Sequence, residues 1–254
     1  LDINFANELT VPQIFPAATA TVAQIDTGTA VTGDPCMRVN GHYLEFHRVG
    51  DATNIRFIPV AATGWTIPLD ATDAEGIEIT TGALADLGEL AFVCGTDAFF
   101  IEAAVKVTTL ANIDHLKVGF RKQGAYGAAS AEIDDITTYA DHCCLEIRDA
   151  AGALGCRTDV ANAGSTATNA THAAISSADF LVFRIDVDAD GLATFQLGSG
   201  TTLALAKADL ATDAAIAAVS YTFGAVTVVP CIIVGATVAG AANVQLCELH
   251  CGVA

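Results

Sequence analysis

The sequence predicts an all-β chain folded as an antiparallel sandwich, preceded by an extended N-terminal arm. Short β-branched and aromatic runs follow one another from Met37 to His250, separated by clusters of Gly, Asp, Asn, Thr and Ser, with no recurring helical period between them. In the clearest runs, polar and apolar residues alternate with the period of two that a half-buried strand requires. The chain has 254 residues, 52% hydrophobic and 16% charged, so it can bury a sizeable core and does not have the composition of a disordered chain.

Residues 1–35 are rich in Ala, Thr and Pro, carry no basic residue and read as an arm; residues 36–254 read as the sandwich domain. Leu1 to Gln24 shows neither the basic stretch nor the compact apolar core of a targeting signal. The strand-type runs are MRVNGHYLEFHRV (37–49), NIRFIPV (54–60), GIEIT (76–80), ELAFVCG (89–95), FFIEAAVKVTTL (99–110), HLKVGFRK (115–122), HCCLEIRDA (142–150), FLVFRIDVD (180–188), LATFQL (192–197), VTVVPCIIVG (226–235) and VQLCELH (244–250). Parity places Ile101, Ala103, Val105 and Val107 on a buried face, with Phe100, Glu102, Ala104 and Lys106 on a wet one. It likewise sets Phe183, Ile185 and Val187 against Arg184, Asp186 and Asp188. Ala150 to Ala174 reads as a long surface loop with one short strand through Gly155 to Val160. Leu203 to Val219 reads as a short helix or an extended loop over a sheet edge. Positions 214–247 carry no formal charge, yet Pro230, Gly224, Gly235 and Gly240 interrupt them and Val226, Val228 and Val234 favour strands. They read as buried strands and not as a membrane helix.

Eleven Lys and Arg against 29 Asp and Glu give a net charge of -18, which repels phosphate backbones and anionic lipid; nucleic acid and membrane are excluded as partners. The cysteines (Cys36, Cys94, Cys143, Cys144, Cys156, Cys231, Cys247 and Cys251) sit mostly in apolar runs without paired Cys-x-x-Cys spacing, so free buried thiols are favoured over disulfides or zinc. Adjacent Cys143 and Cys144 point to opposite faces of a strand, while Cys247 and Cys251 share one.

No residue set completes a catalytic, cofactor-binding or metal site. Asp186, Asp188, Asp190 and Gly191 match the opening of a calcium loop, but Leu197 stands where the closing Glu belongs. An Asp190-Gly191 hairpin of type I′ explains the same letters. Glu132-Ile133-Asp134-Asp135-Ile136 is similar to the carboxylate strand of laminarinase-like glycoside hydrolases, but Ile136 and Thr137 leave the second carboxyl unfilled. The histidines (His42, His47, His115, His142, His172 and His250) are scattered singly and read as surface or strand-edge residues. There is no nucleophile elbow, phosphate loop or dinucleotide fingerprint. The chain therefore reads as a non-enzyme without a cofactor.

From Ala98 to His250, the order FFIEAAVKVTTL, HLKVGFRK, a long polar loop, LVFRIDVDADGLATFQL, VTVVPCIIVG and VQLCELH resembles the lectin-like jelly-roll domains of tailed-bacteriophage structural proteins, of the capsid decoration (cement) type. The resemblance implies a jelly-roll-like (concanavalin-like) sandwich burying Phe99, Val105, Val118, Phe120, Phe183, Ile185 and Phe195, and it carries over no catalytic residue. It further implies a virion structural protein on the capsid exterior. Its partners would be the major capsid protein and copies of itself, as a trimer, with the arm lying across neighbouring subunits. The alternative, from the same scaffold, is a carbohydrate-binding module of a fibre or cell-surface protein.

Overall fold

The computed structural model describes residues 2–4, 13–15, 36–39, 42–49, 58–60, 64–69, 76–82, 90–109, 113–124, 139, 141–150, 153–162, 165–169, 179–211, 221–236 and 242–254. In chain order the elements begin with β1 (Asp2–Asn4), β2 (Gln13–Phe15), β3 (Cys36–Val39), β4 (His42–Val49), β5 (Ile58–Val60), β6 (Gly64–Leu69), β7 (Gly76–Thr80), β8 (Phe92–Val93) and β9 (Phe99–Val107). There follow β10 (Ile113–Lys122), β11 (His142–Ala150), β12 (Ala153–Asn162), β13 (Ser165–Asn169), β14 (Phe180–Val187), β15 (Leu192–Gly200), α1 (Leu203–Ala208), β16 (Tyr221–Thr222), β17 (Thr227–Ala236) and β18 (Ala242–Val253).

These strands form two antiparallel sheets. An eight-stranded sheet has the order β16-β15-β14-β9-β18-β6-β5, with β1 also on β18. A ten-stranded sheet has the order β13-β12-β11-β10-β17-β7-β4-β3-β2, with β8 also on β17. One apolar core lies between them. It takes Phe99, Ile101, Ala103, Val105, Phe183, Ile185 and Val187 from the first sheet and Leu116, Val118, Phe120, Leu145, Ile232 and Val234 from the second. The parity read from β9 and β14 holds except at Ala104: Ile101, Phe183 and Ile185 are fully buried, while Glu102, Arg184 and Asp186 are half-exposed. All seven residues expected in the core are there. Phe92 stacks on Phe99 at 4.6 Å between ring centroids, and Phe120 meets Phe99 edge-on at 4.9 Å, which fixes one end of the core.

β17 is buried on both faces, which explains its unbroken apolar run. Its Pro230 stands where one flank changes partner, from β8 at Thr227 and Val228 to β7 at Cys231, a place where a strand tolerates a missing amide proton. No helix among the described residues is long and apolar enough to cross a membrane.

Several expectations need correction. The long loop expected over 150–174 is largely sheet: the short strand expected at 155–160 is part of the longer β12, and β13 follows, extending the ten-stranded sheet beyond β11. Within 1–35, β1 pairs with β18 and β2 with β3, so these two stretches belong to the sheets. Ala104, expected on a wet face, is buried because α1 covers it. The shared face of Cys247 and Cys251 is lost to a bulge between Leu246 and Glu248. Cys247 turns outward to Ala104 and Ala206, while Cys251 joins the core.

Candidate functional site

The outward face of the eight-stranded sheet carries a shelf of polar side chains on β14, β9 and β18. Register places Arg184 beside Glu102, Glu102 beside His250, and Asp186 beside Phe100. Arg184 is the hub. Its Nε and Nη2 donate to the two carboxylate oxygens of Asp186 (2.9 and 2.7 Å), its Nη1 donates to Glu102 Oε2 (3.0 Å), and its guanidinium lies 4.6 Å over the Phe100 ring. Asp186 first, then Glu102, push this guanidinium above its ordinary value against the pull of partial burial. Arg184 and Asp186 remain about a third exposed, so the surface is ordered and still open to solvent.

One end of the shelf is walled by α1. Thr202 caps the helix by accepting from the Leu205 amide, and Ala206 packs on Ala104, Val182 and Cys247. The helix comes this close because β15 presents glycine beneath it: a Cβ at Gly198 would lie 2.1 Å from the Ala206 carbonyl oxygen. Lys207 then reaches Glu248, which His250 also contacts at 3.1 Å. Burial raises the Glu248 carboxyl, but the contacts from Lys207 and His250 outweigh it and hold the group below its usual range.

The outward face of the ten-stranded sheet is different, because the charges of Glu78, Lys117, Arg121 and Glu146 on it are buried. Arg121 pairs with Glu78, which also accepts from the Tyr139 hydroxyl at 2.6 Å, and the Tyr139 ring lies 4.1 Å under the Arg121 guanidinium. Burial alone would lower this guanidinium; Glu78 and Tyr139 hold it above its ordinary value. Next to this group, Glu146 contacts His115 and sits 3.6 Å from Lys117. Every one of these side chains is at most 5% exposed, so they pair with one another inside the protein and are not themselves open to a ligand. Sequence reasoning left His115 and His142 at the surface; both are buried, and His142 Nδ1 lies 3.0 Å from the Tyr139 carbonyl oxygen. The available signal was charge complementarity between His115, Lys117 and Arg121 on β10 and Glu146 on the adjacent β11 and Glu78 on β7, one strand further across β17.

The calcium-like triplet serves other purposes. Asp186 is held by Arg184, and Asp188 Oδ1 accepts the amides of Asp190 (2.9 Å) and Leu192 (2.8 Å). The hairpin stands, but its turn is not type I′. The Gly191 amide donates to the Asp188 carbonyl at 2.9 Å with Gly191 at φ +85°, so the glycine follows the turn as a bulge in a three-residue loop. Among the described residues, no three His, Cys, Asp or Glu side chains converge to hold a metal. Cys94, Cys143, Cys144, Cys231, Cys247 and Cys251 are buried thiols. Glu132 to Ile136 and the side chains of Cys36, Cys156, His42 and His172 lie outside the described residues. Trp65, the one tryptophan, is in the core and unavailable as a sugar platform.

No protein-family model matches the chain, and no curated protein matches it. Among solved structures it is similar to peanut lectin, with a TM-score of 0.53 at 8% identity over 82% of this chain and 91% of that one. It is also similar to a legume lectin-like domain from Entamoeba histolytica, with a TM-score of 0.50 at 10% identity over 82% and 89%. The chain thus has the lectin-like sandwich fold.

Proposed function

We propose that the chain is a carbohydrate-binding module and that the shelf of Phe100, Glu102, Arg184, Asp186 and His250 is its binding surface. The observation that carries the reading is the Arg184 hub, in which half-exposed carboxylates are held rigidly by a guanidinium stacked on an aromatic ring. Sugar hydroxyls are bound by such prepositioned acceptors, and the C–H faces of a sugar by adjacent apolar surface. A lectin-like sandwich supports the reading as a scaffold on which such sites occur. The shelf suits binding better than catalysis, because the carboxylates of Asp186 and Glu102 are both already engaged by Arg184. The capsid-decoration reading, with its major capsid protein partner and virion location, rests on the sequence resemblance and on no geometry of this shelf. A glycan array probed with the intact chain tests the proposal. Binding that Phe100→Ala and Arg184→Ala each weaken at least tenfold supports it. No glycan bound, with binding to phage capsids instead, would return the account to the decoration reading.

A further inference from the structure

We infer that the shelf takes uncharged glycans and rejects uronic-acid and sulfated chains; this names the ligand class and rests on the carbohydrate reading above. Arg184, His250 and Lys207, the cations of the shelf and its wall, are already engaged by the chain itself, and Lys106, farther along β9, lies 4.7 Å over the Phe180 ring. Arg184 gives three N–H groups to Asp186 and Glu102 and its flat face to Phe100, and Lys207 on the wall is paired with Glu248. An anionic sugar would have to displace Asp186 or Glu102 from the guanidinium. It would exchange a pair already held in place, along β14 for Asp186 or by register with β9 for Glu102, for one that must be ordered on binding, and bring its charge among Glu102, Asp186 and Glu248. The wider field opposes it as well, since 29 acidic against 11 basic residues leave a charge of -18. An uncharged sugar meets neither cost. A carboxylate oxygen accepts more than one hydrogen bond, so Asp186 and Glu102 can take hydroxyl protons while keeping Arg184 in place.

The test is titration of the intact chain with cellohexaose, mannohexaose and galacto-oligosaccharides on one side, and with oligogalacturonate and heparin fragments on the other, at about 0.02 and 0.5 M salt. Affinity for a neutral member is expected to change less than about twofold between the two salts. The anionic members are expected to stay unbound even at low salt. Asp186→Asn and, separately, Glu102→Gln keep the strands but loosen Arg184, and are expected to raise oligogalacturonate affinity about tenfold. Anionic chains bound by the natural chain as tightly as neutral ones would overturn the inference and leave the carbohydrate reading standing, as would variants with unchanged affinity for oligogalacturonate. Binding of neither set would overturn the carbohydrate reading itself.

Discussion

Two arginines show how burial alone changes what a residue does in this chain. Arg121 is fully buried and its partner Glu78 nearly so; removing the guanidinium leaves a carboxylate inside the protein. Arg121→Ala is expected to lower stability by about 3–5 kcal/mol. Arg184 makes as many polar contacts on an open face, and Arg184→Ala is expected to cost no more than about 1 kcal/mol while abolishing ligand binding. Urea denaturation of both variants checks the contrast, and equal losses would contradict it. The thiols give a second prediction at this scale. Burial pushes Cys94, Cys247 and Cys251 up to about 12 from an unfolded value of 9.0. Because the raised pKa belongs to the folded state, their contribution is complete below pH 9 and is lost as pH rises toward 12. Melting temperature should therefore fall on titration above pH 9, and iodoacetamide should label these thiols at pH 8 after unfolding but not before.

At the scale of elements, α1 and the β14–β15 hairpin carry the clearest expectations. Thr202→Ala removes the helix cap and should cost about 1 kcal/mol. Gly198→Ala, which drives a methyl into the Ala206 carbonyl, should cost about 1–3 kcal/mol and also reduce binding, because the wall moves. The Lys207 to Glu248 tether adds a pH dependence. Glu248 is held below its ordinary 4.5, so its stabilisation is present above that value and lost as pH falls through its folded pKa. Lys207→Met should flatten that acid limb of the stability curve. The runs with strong alternation, β9 and β14, were legible in the sequence because side-chain parity is a local property. β12 was legible only as a short strand over 155–160, and its full length and β13 were not, since Ala, Asn and Gly have little β-propensity and those strands follow from pairing with β11 and one another. The bulge at Cys247 is equally invisible locally, as it is set by the register of β18 on β9. The shelf was half legible: parity gave Glu102, Arg184 and Asp186 an outward direction, but their meeting depends on β9 lying beside β14, far apart in sequence.

For the whole molecule, two sheets close over one core, which lets an acidic, charge-poor chain bury its apolar side chains between them. Deleting residues 1–35 removes β1 and β2 but leaves β18 between β9 and β6 and β4 against β7. The truncated chain should keep a β-type circular dichroism spectrum with a lowered melting temperature; loss of cooperative unfolding would show that 1–35 is part of the core unit. The central claim is that the outward face of the eight-stranded sheet binds sugar, and amide shift mapping during titration with a neutral oligosaccharide tests it most directly. The account predicts saturable shifts centred on Phe100 to Glu102, Arg184 to Asp186 and Glu248 to Gly252, with β10, β11 and β17 unmoved. Saturable shifts centred on the ten-stranded sheet instead, or none anywhere with any sugar that a glycan array identifies, would contradict it.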